Sequence, residues 1–371
     1  MRIAYCIHSM HLSRGIERGV TFKANHFCSV PGNEVFIITS HLHGRPVHYN
    51  LNPRVKVIDI DRSDIPGPLY FLYKKKLKQC LESIRPDIAV TVGDNTIYAL
   101  AAIDFGGKRV SEYHFSYEKF DMKYGRTPIG RAYAGFRRRR IAKAASVMDA
   151  FIVLTESDRK DWQKLVPGVR CIYNPPTLEC KEKASLDSRT VIAAGALVPQ
   201  KNYPDMLEAW KQVRAKHPDW QLHIYGDGKL RPSIGKAAAS MFPEGSVRLM
   251  GRSGDMKSVY LGSAALVLSS RYEGFPMVLL EACECGVPAV SYDCPKGPAE
   301  IIEDGVSGFL VPQGDTRMLA EKLCTVIENE ELRKSMGTAA GKVGARFSRE
   351  KITSDWQALW DELLGITVKQ Q

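Results

Sequence analysis

"ALVLSSRYEGFPMVLLEACECGVPAVSYD" (265–293) carries the clearest structural signal in this 371-residue chain. It opens on ALVLSS (265–270), a short apolar run with the length of a buried strand. RYEGFP (271–276) interrupts that run with glycine and proline, so it reads as a loop. Pro276 suits the first helical position, where a missing N–H costs nothing. A buried helix follows, and AVSYD (289–293) is a second strand. Strand, loop, helix and strand make the unit of a parallel α/β sheet. Inside the helix stands Glu281, flanked by Leu279, Leu280, Ala282 and Cys283. A buried carboxylate is costly without donors. Sugar hydroxyls are good donors, so Glu273 in the loop and Glu281 farther in are candidates to grip a polyol. The competing reading is a carboxylate satisfied by backbone N–H groups or an arginine.

The same style extends in both directions. Strand candidates in the first half are 2–7, 34–39, 55–60, 87–92, 108–114, 150–155 and 169–173. In the second half they are 190–197, 221–226, 247–251, 265–270, 289–293 and 308–312. Helix-period segments such as 69–84 and 129–147 lie between them. Right-handed crossovers turn this alternation into doubly wound sheets. NPPTLECKEKASLDS (174–188) has two prolines, several charges and no apolar period, as domain linkers do. The expected domains are residues 1–180 and 181–346, each Rossmann-like. A terminal segment, 347–371, carries Ile352, Trp356, Leu359, Trp360 and Leu363 on one helical stripe suited to docking on a large surface.

Composition narrows the function classes. No run of about 18 apolar residues exists, which argues against a membrane-spanning helix. MRIAYCIHSM is too short and too quickly polar for a signal peptide, and reads as a first buried strand. Nine cysteines without a C-x-x-C pair argue against a disulfide framework or zinc ribbon and for a cytoplasmic protein with reduced thiols. Residues 1–180 hold 28 Lys/Arg against 17 Asp/Glu, and residues 181–371 hold 24 of each. The whole net charge of +11 therefore sits in the first half, concentrated in YKKKLK (73–78) and RRRRIAK (137–143). Such blocks seek anions or form solvated helix faces. The stretch 126–148 mixes aromatic, aliphatic and arginine positions, which suits an anionic membrane surface.

Parallel α/β domains bind ligands at the carboxyl ends of their strands. Gly15, after the first strand, precedes a helical run where backbone N–H groups can approach an anion. Lys201 follows strand 190–197, just before a helix whose first turn holds Pro204, so it can meet a phosphate. The backbone N–H groups of Gly274, Phe275 and Met277 surround Pro276 at the next helix start.

These segments resemble glycosyltransferase family 4, retaining enzymes of the GT-B fold. RYEGFPMVLLEACECGVPAV resembles that family's E-x7-E segment. AAGALVPQKNYPDMLEAW (193–210), HIYGDGKLR (223–231), VRLMGR (247–252) and SYDCPKGPAEIIEDGVSGFLV (291–311) are similar to it in order and spacing. So are RPDIAV (85–90), FIVLTESDRKDW (151–162) and YNPP (173–176). The resemblance implies two Rossmann-like domains facing a cleft, with the terminal helix crossing back to brace the first. It implies that Glu281 holds a nucleotide ribose, and that Glu273 with the amides of Gly274 to Met277 contacts donor sugar and phosphates. Lys201 would contact the diphosphate, residues near Arg252 would lie against the base, and Gly15 would approach the donor phosphate from the first domain. His114 matches a pocket histidine facing the transferred sugar, or is a plain strand-end histidine. Glu273, Lys201 and His114 are then the catalytic candidates, and domain closure would exclude water.

Two positions depart from the family pattern. Gly195 is followed by Ala196 where an arginine is usual, and the first loop has Arg14 and Gly15 where paired glycines are usual. Arg14 or Arg18 is expected to replace part of the missing charge. No metal is expected: Asp59 and Asp61 mimic a D-x-D motif but end a strand in the first domain.

The expected function is transfer of a hexose or N-acetylhexosamine, with a UDP-sugar favoured as donor and no cofactor. The acceptor is a glycan or lipid-linked glycan in assembly of a bacterial surface polysaccharide such as lipopolysaccharide. A peripheral position on the inner face of the cytoplasmic membrane follows from residues 73–78 and 126–143. The alternatives are a sugar-nucleotide epimerase of the same fold and a non-catalytic binder of anionic lipid or nucleotide. Nucleic acid is disfavoured because the arginine run lacks interleaved aromatics. A dehydrogenase is disfavoured because no G-x-G-x-x-G follows the first strand.

Overall fold

The computed structural model describes residues 1–12 and 14–366. The chain divides into two compact units, Met1–Thr177 with the segment from Arg349 onward, and Leu178–Ser348.

The first unit holds strands β1 (Arg2–Ile7), β2 (Glu34–Thr39), β3 (Lys56–Asp59), β4 (Ile88–Val92), β5 (Lys108–Tyr113), β6 (Ala150–Val153) and β7 (Arg170–Cys171). Helices α1 (Gly15–Ser29), α2 (Tyr70–Ile84), α3 (Thr96–Ala101), α4 (Lys119–Tyr124), α5 (Pro128–Ala145) and α6 (Glu156–Trp162) connect them. Every pairing is parallel, in the order β3-β2-β1-β4-β5-β6-β7. Central strands such as β4, IAVTV, are buried along their whole length. Helices cover both faces, so such strands read as near-continuous apolar runs rather than alternating ones.

The second unit repeats the plan with β8 (Thr190–Ala194), β9 (Gln221–Tyr225), β10 (Val247–Gly251), β11 (Ala265–Leu268), β12 (Ala289–Asp293) and β13 (Gly308–Pro312). Its helices are α7 (Tyr203–Lys216), α8 (Arg231–Met241), α9 (Met256–Leu261), α10 (Met277–Glu284), α11 (Pro298–Ile301), α12 (Thr316–Glu328) and α13 (Glu330–Ala345). The parallel order β10-β9-β8-β11-β12-β13 is the doubly wound 3-2-1-4-5-6 arrangement. Each sheet reverses strand order beside its first strand, the place where this architecture opens a crevice for ligands.

Helix α14 (Arg349–Leu364) belongs to the first unit. Ile352, Trp356, Leu359 and Trp360 are buried in one cluster with Ile3, Tyr5, Val20 and Phe27. The Trp360 ring stands edge-on to Phe27, 6.1 Å away, and Arg170 pairs with Glu362 through two hydrogen bonds. Residues 367–371 of the expected terminal segment lie outside the described residues.

Several strand ends differ from the sequence reading. The candidate at 169–173 forms only the two-residue edge strand β7, a few residues ahead of Pro175 and Pro176. The candidate at 190–197 ends at Ala194, where Gly195 turns the chain with φ +151. The candidate at 108–114 ends at Tyr113, which leaves His114 just beyond the strand.

Candidate functional site

In the second unit, the carboxyl ends of β8 and β11 converge on one charged pair. Gly195 leaves β8, and a 3-10 turn (Pro199–Lys201) delivers Lys201 just ahead of α7. Lys201 Nζ donates to Glu273 Oε1 at 2.7 Å, and Ser270 Oγ donates to the same oxygen at 2.5 Å. Backbone and side-chain bonds seal the two loops together. Ser269 Oγ donates to the Lys201 and Asn202 carbonyls at 2.9 and 3.1 Å, and Gln200 Nε2 donates to the Tyr272 carbonyl at 2.8 Å. The Lys201 stem lies along Gly195, where an added Cβ would stand 3.1 Å from Cε. Gly226 approaches closer still. A Cβ there would sit 1.9 Å from the Gly195 carbonyl oxygen, so this contact of two backbones demands glycine.

The helix after this loop starts one residue later than its sequence suggests. Pro276 is the residue before α10, with an extended ψ of 92°, and Met277 is the first helical residue. Gly297 packs against this residue, so close that a Cβ there would fall 2.4 Å from the Pro276 ring. No side chain caps α10, so its start presents backbone N–H groups. The Phe275 side chain turns inward against Phe347, 5.5 Å between centroids, which leaves backbone as what Phe275 offers a ligand.

Glu281 is 3% exposed and accepts a hydrogen bond from the Tyr260 hydroxyl of α9 at 2.9 Å. One donor is thus a tyrosine 21 residues upstream, which no local pattern announces. Arg252 stands exposed just beyond β10, two strands from β8. Ala196 is exposed beside Gly195 and offers no charge.

The first unit places its candidates at the same end of its own sheet. Gly15 opens α1 and Arg14 precedes it, both exposed. Arg18 is not free to move. Its Nε donates to the Tyr49 hydroxyl at 3.1 Å and its Nη1 to Thr177 Oγ1 at 2.8 Å. Arg14 is therefore the more available of the two arginines. His114 is buried, its Nε2 3.1 Å from Glu112 Oε1 but without hydrogen-bond alignment. Glu112 also pairs with Lys23 of α1, and both are fully buried. Burial pushes the Glu112 carboxyl upward, and the charges of Lys23 and His114 more than reverse this, holding it at about 2. Burial lowers the Lys23 ammonium, against the pull of Glu112.

This buried pair was not singled out in the sequence. Its only signal is a lysine in the apolar face of GVTFKANHF and a glutamate inside a central strand. Asp59 accepts from Thr39 Oγ1 and from the Leu42 and His43 amides, and Asp61 has φ +45 in the same turn. An open depression lined by Arg85, Asp87, Gly107 and Lys108 lies at the amino-terminal ends of β4 and β5 and holds none of these residues.

The arrangement in the second unit is a fixed cation beside a glycine turn and an uncapped helix start, with a buried carboxylate one turn farther in. It suits a phosphorylated ligand that also carries hydroxyls. Residues 177–343 match the family model described as glycosyl transferases group 1. An uncharacterised glycosyltransferase of Haemophilus influenzae is 26% identical over 96% of this chain and 99% of its own. A Campylobacter jejuni α-1,4-N-acetyl-D-galactosaminyltransferase, named for an undecaprenyl-diphosphate-linked glycan, is 27% identical over 98% of this chain and 99% of its own. The structure of Anabaena HepE with UDP-glucose superposes with a TM-score of 0.76 at 18% identity, over 98% of this chain and all of that one.

Proposed function

We propose that this chain, whose residues 177–343 match the glycosyl transferases group 1 model, is a retaining glycosyltransferase using a UDP-hexose or UDP-N-acetylhexosamine donor. The observation that carries this reading is the Lys201–Glu273 pair, 2.7 Å across, seated beside Gly195 and the start of α10. Breaking the sugar–phosphate bond builds negative charge on the leaving diphosphate. A preset cation and helix-start amides aimed at that charge stabilise it most when the bond is breaking. Lys201 and the amides from Gly274 to Met277 take this role. Glu273 holds Lys201 in place and turns its other oxygen to the sugar. The departing phosphate oxygen accepts the proton of the attacking acceptor hydroxyl on the same face, which retains the anomeric configuration.

Glu281, Arg252, Arg14, Gly15 and His114 complete the proposal. Glu281, braced by Tyr260, accepts from the ribose hydroxyls, and Arg252 flanks the base. Within the first unit, Arg14 and Gly15 are the candidates for binding an anion and His114 for binding a sugar. The test is calorimetric titration with UDP, GDP and ADP on the parent and on Glu281→Ala and Glu281→Gln. Hydrogen bonds to a charged group contribute about 1.5–3 kcal/mol. UDP is therefore expected to bind roughly 10- to 100-fold more weakly to either variant. Equal UDP affinity in parent and variants would remove Glu281 from the site, and no affinity for any nucleotide would defeat the reading.

The acceptor is proposed to be a lipid-linked glycan met at an anionic bilayer by the first unit. Ile129, Tyr133 and Phe136 follow one another along one face of α5 and are 84%, 41% and 54% exposed. Exposed Arg131, Arg139, Arg140 and Lys143 surround them. Each basic residue near an anionic surface contributes about 1 kcal/mol. Arg139→Ser with Arg140→Ser is expected to weaken co-sedimentation with phosphatidylglycerol vesicles by roughly 30-fold. Equal binding of the parent to neutral and anionic vesicles would exclude this surface.

A further inference from the structure

The carboxyl ends of β1 and β2 carry a second constellation that glycosyl transfer does not use. His8 is the first residue beyond β1 and His41 the second beyond β2, and Asp64 follows β3 in the connection to α2. These strands are neighbours, in the order β3-β2-β1. One ligand atom from each of the three side chains lies within 4.8 Å of the others. We propose that His8, His41 and Asp64 form a binding site for a transition-metal dication of the zinc type, independent of the nucleotide-sugar chemistry.

Three observations support the site. The backbone builds it, because the amides of Ser40 and His41 both donate to the His8 carbonyl, at 3.1 and 2.9 Å. The two imidazoles are thereby stacked, 4.4 Å between centroids and 26° apart. Asp64 is 1% exposed, and its Oδ1 stands 2.7 Å from His8 Nδ1. A histidine–aspartate pair alone would account for those two residues, but it does not account for His41. The His41 Nδ1 is buried and has no hydrogen-bond partner among the described residues. A dication accepts that lone pair and offsets the buried carboxylate at once.

The chemistry and the dimensions fit. Two imidazoles and one carboxylate are a nitrogen–oxygen set that zinc accepts, with a fourth position left for water or another ligand. Two imidazoles on one tetrahedral zinc place their centroids about 5 Å apart, so a small opening of the observed stack is enough. Arg14 faces His8, and Arg45 donates to the His41 carbonyl at 2.9 Å; both oppose a cation, while Glu17 beside His8 and Asp59 beside His41 favour one. A bound ion would tie the loops after β1 and β2 to the β3–α2 connection.

The test is titration of the chelator-treated full chain with zinc chloride against a competing chromogenic chelator. One equivalent is expected to bind. Losing a residue that merely orients a zinc ligand costs 10- to 100-fold in affinity, so His8→Ala, His41→Ala and Asp64→Asn should each cost at least that. His41 is half-buried at the start of the loop after β2, and a far-UV spectrum checks that each variant is folded. The second cluster of this kind among the described residues, His217, Cys324 and Glu328, is the internal control. Zinc binding that His8→Ala and His41→Ala leave unchanged, or that only Cys324→Ser removes, overturns the proposal. So does the absence of stoichiometric binding in the parent chain.

Discussion

Lys201→Ala is expected to lower the turnover number by about 100- to 1,000-fold, the loss seen when one preset donor to a developing anion is removed. The expectation follows from where charge appears. In the ground state the diphosphate is already anionic and already bound by several groups. As the sugar departs, further charge collects on the oxygen that bonded it, and a cation fixed beside that oxygen gains most at this moment. Lys201 is fixed, by Glu273 at 2.7 Å and by the glycine turn that its stem follows. The donor KM should therefore change much less than the turnover number. Glu273→Gln separates positioning from charge: it keeps the hydrogen-bonding shape but releases the lysine from an ion pair, so an intermediate loss is expected. Steady-state release of UDP from the donor measures both, with melting curves as the control for folding. A loss below tenfold in Lys201→Ala would mean that the leaving group is stabilised elsewhere, and Arg14 would be the next residue to replace.

How much of this was legible in the sequence depends on the range over which each feature is determined. The strands were readable because a parallel strand is buried on both faces and writes its burial into four to six consecutive residues. ALVL and IAVTV need no partner to be recognised. The loop from Ser270 to Pro276 was equally local, since glycine and proline mark it directly. The exact ends were not: Gly195 ends β8 by its own φ, and Pro276, packed against Gly297 of a different loop, stands one residue before its helix. Partners of buried charges were invisible for the same reason. Tyr260 reaches Glu281 only because α9 and α10 share one face of a sheet, and Lys23 meets Glu112 across 89 residues. The three residues of the proposed metal site come together only when β3, β2 and β1 are adjacent, an order no periodicity contains. Periodicity reports which positions are buried, while topology decides what they are buried against.

The buried pair is where that distinction has its largest energetic consequence. Lys23→Met is expected to destabilise the first unit by about 3–5 kcal/mol, since it strands an ionised carboxylate in the core. Lys23 also sits 4.7 Å above the Trp356 ring of α14, so the methionine keeps the packing there while removing the charge. Adding Glu112→Leu should recover most of the loss, to within about 2 kcal/mol of the parent, because both desolvated charges then disappear together. Acid has a weaker version of the same effect. The Glu112 carboxyl is held below its unfolded value of about 4.3, so its contribution is complete above that pH and is lost as pH falls toward about 2. Urea titrations of the parent, the single variants and the double variant measure the cycle. A single variant that costs less than 1 kcal/mol would show that the pair is not held as ions. The double variant is also expected to turn over more slowly than the parent despite its recovered stability, because Glu112 faces His114 at 3.1 Å and leucine leaves that ring without its carboxylate neighbour. Stability that returns while turnover does not would assign the pair a positioning role, whereas both returning together would make it a feature of folding alone.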